Sequence, residues 1–245
     1  KKASKPMFIL GQGAMCAKDA ESIFNFALML YNKHVKNNEW NGFNVLQNFS
    51  ARVGALDLGF FNKKNVLTRS FIKKIYSGKF EVLFLLSADE LDFEKIPKKT
   101  FVVYFGHHGD KAVKRADLIV PISCFTEKEG IYLNLEGRPQ ISRQIKLPLP
   151  NVRDFSDVVK QLSDSLDINL NFSNFKDLRN LMFQQNQHLS RINQISENKL
   201  LKDRKINNNF LSKEILSPIH NFYMTDSVSR SSPVMSECSI NFNSK

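Results

Sequence analysis

At 245 residues and 42% hydrophobic content, the chain is long enough to bury a sizeable core, as one large domain or as one domain with appendages. Its 35 Lys and Arg against 24 Asp and Glu leave a formal charge of +11, which favours anionic partners in general. The basic residues include isolated pairs, Lys63-Lys64, Lys73-Lys74 and Lys98-Lys99, with no stripe interleaved with stacking aromatics, and this argues against nucleic acid.

In chain order, residues 6–122 alternate strands with helices, the pattern of a parallel sheet covered on its faces. Met7–Leu10 reads as a short strand and Gly11-Gln12-Gly13 as the tight turn after it. A helix follows from about Asp19 to Lys36, with Ile23, Phe24, Ala27, Leu30 and Tyr31 on one face. Phe43–Leu46 is the second strand. A second helix near Val66–Ser77 turns Leu67, Phe71, Ile72 and Ile75 inward, and Gly78 stands where a helix takes a left-handed C′ residue. Glu81–Leu86, Phe101–Tyr104 and Leu118–Val120 complete the set of strands, and the connections are long enough for right-handed crossovers.

From Cys124 the pattern changes. Glu127–Arg143 is predicted as a loop and a short antiparallel pair, with turns set by Gly130 and Gly137. Leu147-Pro-Leu-Pro150 breaks any regular element. Helices are expected over about Asp154–Leu166, with Phe155, Val158, Val159, Leu162 and Leu166 buried, over Asn174–Met182, and more weakly over Leu189–Lys202. From about Asp203 the chain is polar and rich in Ser and Asn, and it is expected to be extended, lying on a partner or disordered when alone. The resulting division is 1–150 as the α/β domain, 151–202 as a helical extension and 203–245 as an extended or partner-bound tail. The fold class is α/β: an open, mostly parallel sheet with helices on both faces, plus a small loop and strand appendage.

Cys16, Cys124 and Cys238 lie more than a hundred residues apart from one another, so the sequence offers no paired-cysteine motif for zinc or an iron–sulfur cluster, and no disulfide framework. A reducing compartment fits. No apolar run approaches the ~20 residues needed to cross a bilayer. The chain opens at Lys1 almost directly on a strand, which suggests a segment of a longer protein.

Five constellations carry possible chemistry. Gly11-x-Gly13 sits between strand and helix, where a phosphate loop sits, but Cys16 occupies the place of a third glycine and a plain turn is preferred. In Ser50–Gly59, Arg52 could clamp a phosphate and Asp57 a sugar hydroxyl, or the two could simply pair. Asp89, Glu90 and Asp92 follow a strand; with no partner for acid–base work nearby, a helix cap with acidic first-turn residues is preferred. His107-His108 with Asp110 invites a metal, but adjacent side chains on a turn should diverge, so a loop whose Asp110 caps the next helix is preferred. Asn134, Glu136, Gly137 and Arg138 are the strongest candidates for ligand contact, the alternative being that Glu136 and Arg138 tie the loop to the sheet through charge-assisted hydrogen bonds. No nucleophile arrangement of the Ser/His/Asp or Cys/His type shows in linear order, and no catalytic residue is assigned.

The stretch Ala116–Gln140, ADLIVPISCFTEKEGIYLNLEGRPQ, resembles the molybdopterin oxidoreductase superfamily. Within it, SARVGALDLG (Ser50–Gly59), LSADELD (Leu86–Asp92), VYFGHHGD (Val103–Asp110), Thr126–Gln140 and FYMTDSVSRSSPVMSECS (Phe222–Ser239) resemble, in order, the large iron–sulfur subunits of respiratory NADH–quinone oxidoreductase, complex I. The resemblance implies a structural, non-catalytic segment of the peripheral arm. It would carry no cofactor or metal of its own, with Asn134, Glu136, Gly137 and Arg138 as the relic of a pterin-binding loop and the iron–sulfur clusters in an N-terminal part of the subunit. It further implies other peripheral-arm subunits as partners, with Tyr223, Met224, Val234 and Met235 buried against them. The location would be the matrix side of the mitochondrial inner membrane or the cytoplasmic face of a bacterial inner membrane, without a membrane span. The competing reading from the same superfamily is the cofactor-binding part of a catalytic enzyme such as a formate dehydrogenase. A basic α/β module for nucleotides or nucleic acid is the third.

Overall fold

The computed structural model describes residues 3–35, 40–60, 68–109, 111–195, 209–211 and 214–242. In chain order the elements are β1 (Phe8–Leu10), α1 (Gln12–Cys16), α2 (Ala20–His34), β2 (Phe43–Val45), α3 (Arg52–Asp57), α4 (Thr68–Tyr76), β3 (Val82–Leu86), β4 (Phe101–Gly106), β5 (Leu118–Pro121), β6 (Gly130–Leu133), β7 (Pro139–Ser142), α5 (Phe155–Ser165), α6 (Phe175–Gln185), α7 (Ser227–Arg230) and α8 (Pro233–Phe242). Single 3-10 turns stand at Phe93–Lys95, Lys111–Lys114, Gln187–Ser190 and Phe222–Met224. The α/β class with parallel strands holds, and the five parallel strands fall into two sheets. No helix among the described residues is long and apolar enough to cross a membrane.

The chain forms two compact units, each assembled from separated stretches. The first comprises Lys1–Phe60, Ile131–Gln140 and Asn186–His220. Here β1 and β2 pair in parallel, Phe8 opposite Phe43 and Leu10 opposite Val45. Tyr31 of α2 is buried between them, its ring edge-on to Phe8 at 5.7 Å and tilted against Phe43 at 5.6 Å. Burying a phenol requires a partner for its hydroxyl. Tyr31 Oη donates to the Trp40 carbonyl at 2.7 Å and accepts from the Gly42 N–H at 2.8 Å, so one residue fixes both the helix and the entry to β2. The fully buried positions of α2 are Ser22, Asn25, Leu28 and Tyr31. The apolar face expected from the sequence is therefore rotated, with Ile23, Phe24, Ala27 and Leu30 only half-buried at its flank.

The second unit comprises Phe61–Gly130, Ile141–Gln185 and Asn221–Lys245. Strands β3, β4 and β5 form a parallel sheet in that order, with Val82 opposite Phe101 and Val103 opposite Leu118. On one face Leu83, Leu85, Val102 and Tyr104 pack with Ile75, Ile96 and Ala112 into the main core. On the other, Val103 and Phe105 are covered by Phe155 and Val158 of α5, the Phe105 and Phe155 rings meeting edge-on at 5.3 Å. Asp154 caps α5, its Oδ1 accepting from the Ser156 N–H at 2.9 Å. Gly78 ends α4 in the left-handed region at φ +68°.

Three expectations need correcting. Phe71 is exposed and Ile75 alone is fully buried among the described side chains of α4, because the Phe71 ring lies along the surface against Phe80; Leu67 lies outside the described residues. On α5, Leu162 and Leu166 are exposed, since the sheet reaches only the first turns of the helix. From Phe222 the tail is mostly helical and not extended. Asp226 Oδ1 accepts from the Val228 and Ser229 N–H groups at 2.9 and 3.0 Å, and Pro233 occupies the first turn of α8, where its missing N–H costs nothing.

Candidate functional site

The hairpin loop between β6 and β7 is built around the Asn134 side chain. Its Oδ1 accepts from the Glu136 and Arg138 N–H groups, both at 3.0 Å, while Nδ2 donates to Glu136 Oε2 at 3.3 Å. The Asn134 N–H closes the turn on the Arg138 carbonyl at 3.2 Å. Gly137 sits at φ +78°, a conformation that a Cβ disfavours, and donates to the Asn134 carbonyl at 3.0 Å. Arg138 Nη1 donates to the Asn193 carbonyl at 2.9 Å and Nη2 reaches Glu136 Oε2 at 3.4 Å. The Asn193 N–H in turn donates to the Pro139 carbonyl at 2.8 Å. These contacts tie the loop to itself and to Asn193.

Beside this loop lies a cavity of about 250 Å³. Tyr132, Leu133, Asn134, Leu135 and Gln140 of the hairpin line one side, and Gln47, Phe49, Ser50 and Val53 the other. The second group follows the C-terminal end of β2, the edge at which open parallel sheets present ligands. Ligand pockets run from about 300 Å³ upward. The space lined by this chain takes a single small ring or a few polar atoms.

The other sequence candidates are dispersed. Gly11 precedes the short helix α1 instead of a tight turn, and Gly13 lies inside that helix. A Cβ on Gly13 would meet the Leu216 carbonyl oxygen at 2.7 Å, so this glycine allows a close approach of two chain segments. Asp57 pairs with His188 Nε2 at 2.7 Å and not with Arg52, because α3 carries its carboxylate toward the turn at 187–190. The acidic cluster also separates. Asp92 precedes the 3-10 turn but its side chain makes no capping bond, pairing instead with Lys95 at 2.6 Å. That pairing, first by hydrogen bond and then by charge, holds its carboxyl below the ordinary range. Asp89 is buried and forms an ion pair with Arg230 of α7.

His107 and His108 converge where divergence was expected: their Nδ1 atoms are 2.7 Å apart and the rings edge-on. At that separation one Nδ1 must carry the proton and the other accept it. Burial, followed by the neighbouring His108 and Lys128, lowers the pKa of His107. Among the described residues no group of three or more His, Cys, Asp or Glu side chains converges on a metal-sized site. Asp110 lies outside the described residues. The sequence reading missed His188 and Glu129, which pairs with Arg179 at 2.5 Å; neither stands in a periodic or spaced pattern.

Residues 1–165 match the family model described as molybdopterin oxidoreductase, and residues 192–238 match that of the C-terminal region of the NADH-ubiquinone oxidoreductase G subunit. The chain is 38% identical over 255 residues to the mitochondrial 78 kDa subunit of NADH-ubiquinone oxidoreductase from Candida albicans, covering 99% of this chain and 34% of that protein. It is 35% identical over 240 residues to the NADH-quinone oxidoreductase G subunit from Rickettsia bellii, covering 97% and 33%. A third relative is the mitochondrial NADH dehydrogenase iron-sulfur protein 1 of Solanum tuberosum, 34% identical over 252 residues, covering 98% and 32%. The chain thus spans about a third of the length of the curated relatives it matches. With the model match running through the parallel strands and the hairpin loop, the chain belongs to the molybdopterin oxidoreductase family, in the branch of the NADH-quinone oxidoreductase G subunits.

Proposed function

We propose that this chain is a structural, non-catalytic third of the large iron–sulfur subunit of a respiratory NADH–quinone oxidoreductase. The observation that carries the reading is the order of the two family regions, molybdopterin oxidoreductase over residues 1–165 and the C-terminal region of the G subunits over 192–238. In this reading the iron–sulfur clusters belong to the part of the subunit outside this chain, and the loop Asn134–Arg138 is kept for its fold. Its neighbours are the other subunits of the peripheral arm, and it sits on the matrix face of the mitochondrial inner membrane or the cytoplasmic face of a bacterial one. The side chains here position protein and move no electrons themselves.

The test is to delete the coding segment and assay membranes for NADH–quinone reductase activity, with metal and pterin analysis of the purified complex. The expected result is loss of activity on deletion, with iron present and no molybdenum or pterin held by this chain. Undiminished activity after deletion, or molybdenum or pterin bound one per chain, overturns the proposal.

A further inference from the structure

The second face of the β3-β4-β5 sheet is only half covered. Strand β3 reads Val-Leu-Phe-Leu-Leu, apolar at every position, with Leu83 and Leu85 buried in the main core. Its opposite side presents Val82, Phe84 and Leu86 at 47%, 57% and 48% exposure, beside Phe101 of β4 at 48%. A strand meant to face water on one side alternates apolar with polar residues. An uninterrupted apolar run is the mark of a parallel strand buried on both faces, usually under crossover helices. On this same face α5 already covers Val103 and Phe105, and its cover stops there. The chain supplies the covering helix for the β4 side of the sheet and none, among the described residues, for β3.

We propose that this face is the seat of an apolar helix contributed by the part of the subunit that lies outside this chain. The occupant follows from the length of the relatives, of which about two thirds has no counterpart here, and from the face itself, where no charged side chain stands among the outward positions of β3. Packing two aromatic rings and two aliphatic side chains calls for apolar side chains in return. The inference rests on the proposed reading of the chain as part of the larger subunit.

The test compares the 245-residue chain with a full-length chimera in which it replaces the matching third of the Rickettsia bellii relative, expressed in a bacterial host lacking its own copy of that subunit. With Phe84→Cys in each, a maleimide reagent should label residue 84 at least ~10-fold more slowly in the chimera, while the chain alone labels readily. Should that variant fail to fold in the chimera, amide exchange over residues 82–86 of the unsubstituted proteins replaces it, with the same expected contrast. Equal fast labelling or exchange in both overturns the inference. So does slow labelling already in the chain alone, which would give the face to this chain itself or to a second copy. Whether the chimera restores NADH–quinone activity tests the subunit reading separately: restored activity with fast labelling sinks only the covered face, and unrestored activity sinks the reading beneath it.

Discussion

The β3-β4-β5 sheet and the Asn134–Arg138 hairpin are both signatures of the same family, and they are held together by opposite means. The sheet is fixed by burial: Val102 has no exposed surface, Tyr104 retains 2% and Leu85 retains 3%. The hairpin is fixed by directed hydrogen bonds around one asparagine and one positive-φ glycine, with Leu135 and Glu136 of the loop exposed. Burial is additive and indifferent to angle, whereas the loop depends on a few donors and one backbone conformation. A change of volume should therefore damage the first region, and a change of geometry the second.

The largest expected effect is on the sheet. Replacing Tyr104 by Ala removes a ring that packs against Gly106, where an added Cβ would meet it at 2.4 Å, and should cost about 4 kcal/mol. Urea unfolding is the check, and a loss below ~1 kcal/mol would mean that the core does not depend on this ring. Second is Gly137→Ala, which forces a Cβ into φ +78° and should cost about 1 kcal/mol while disturbing the contact between Arg138 and Asn193. Proteolysis near residue 193 should accelerate. An unchanged cleavage rate would show that the loop tolerates a different backbone.

The smallest effect is a pH dependence, and it separates the two regions because His107 follows β4. Its folded pKa lies below the ordinary histidine value near 6.5, so the unfolded chain binds the proton more tightly. Stability from this group is full above that value and falls as the pH drops through it toward the depressed folded pKa. Asp92, Asp117 and Asp226 are also lowered, from ordinary values near 3.8, and their contributions are lost only at more acid pH. Melting followed from pH 8 to pH 5 should show a decline that His107→Gln flattens. A variant with the same slope as the parent would assign the titration elsewhere.

Much of this was legible in the sequence, for a physical reason that also sets its limit. Short apolar runs bounded by turn residues located β3, β4 and β5, and Gly78 and Gly137 announced local backbone needs that no distant residue can alter. Periodicity on α5 marked Leu162 and Leu166 as positions wanting burial but carried no information on what would bury them. Pairing over long separations was invisible: His188 lies 131 residues from Asp57, and nothing local favours it over Arg52. The candidate loop was legible in its residues but not in its employment, since the same Asn, Glu, Gly and Arg serve a ligand or a turn equally well. Only the positions of the donors show them turned onto the loop itself.

The ion pair between Asp89 and Arg230 has a consequence in time. The two residues are 141 positions apart, and the second unit draws on the last stretch of the chain, Asn221–Lys245. At about 5–20 residues per second, a ribosome delivers Arg230 roughly 7–28 s after Asp89. Throughout that interval the corner between β3 and the tail helices stays unfinished, with its carboxylate made and its guanidinium still to come. This unit therefore completes its fold only once α7 has been made, and a nascent chain halted before α7 would offer a chaperone a sheet without its last fastening.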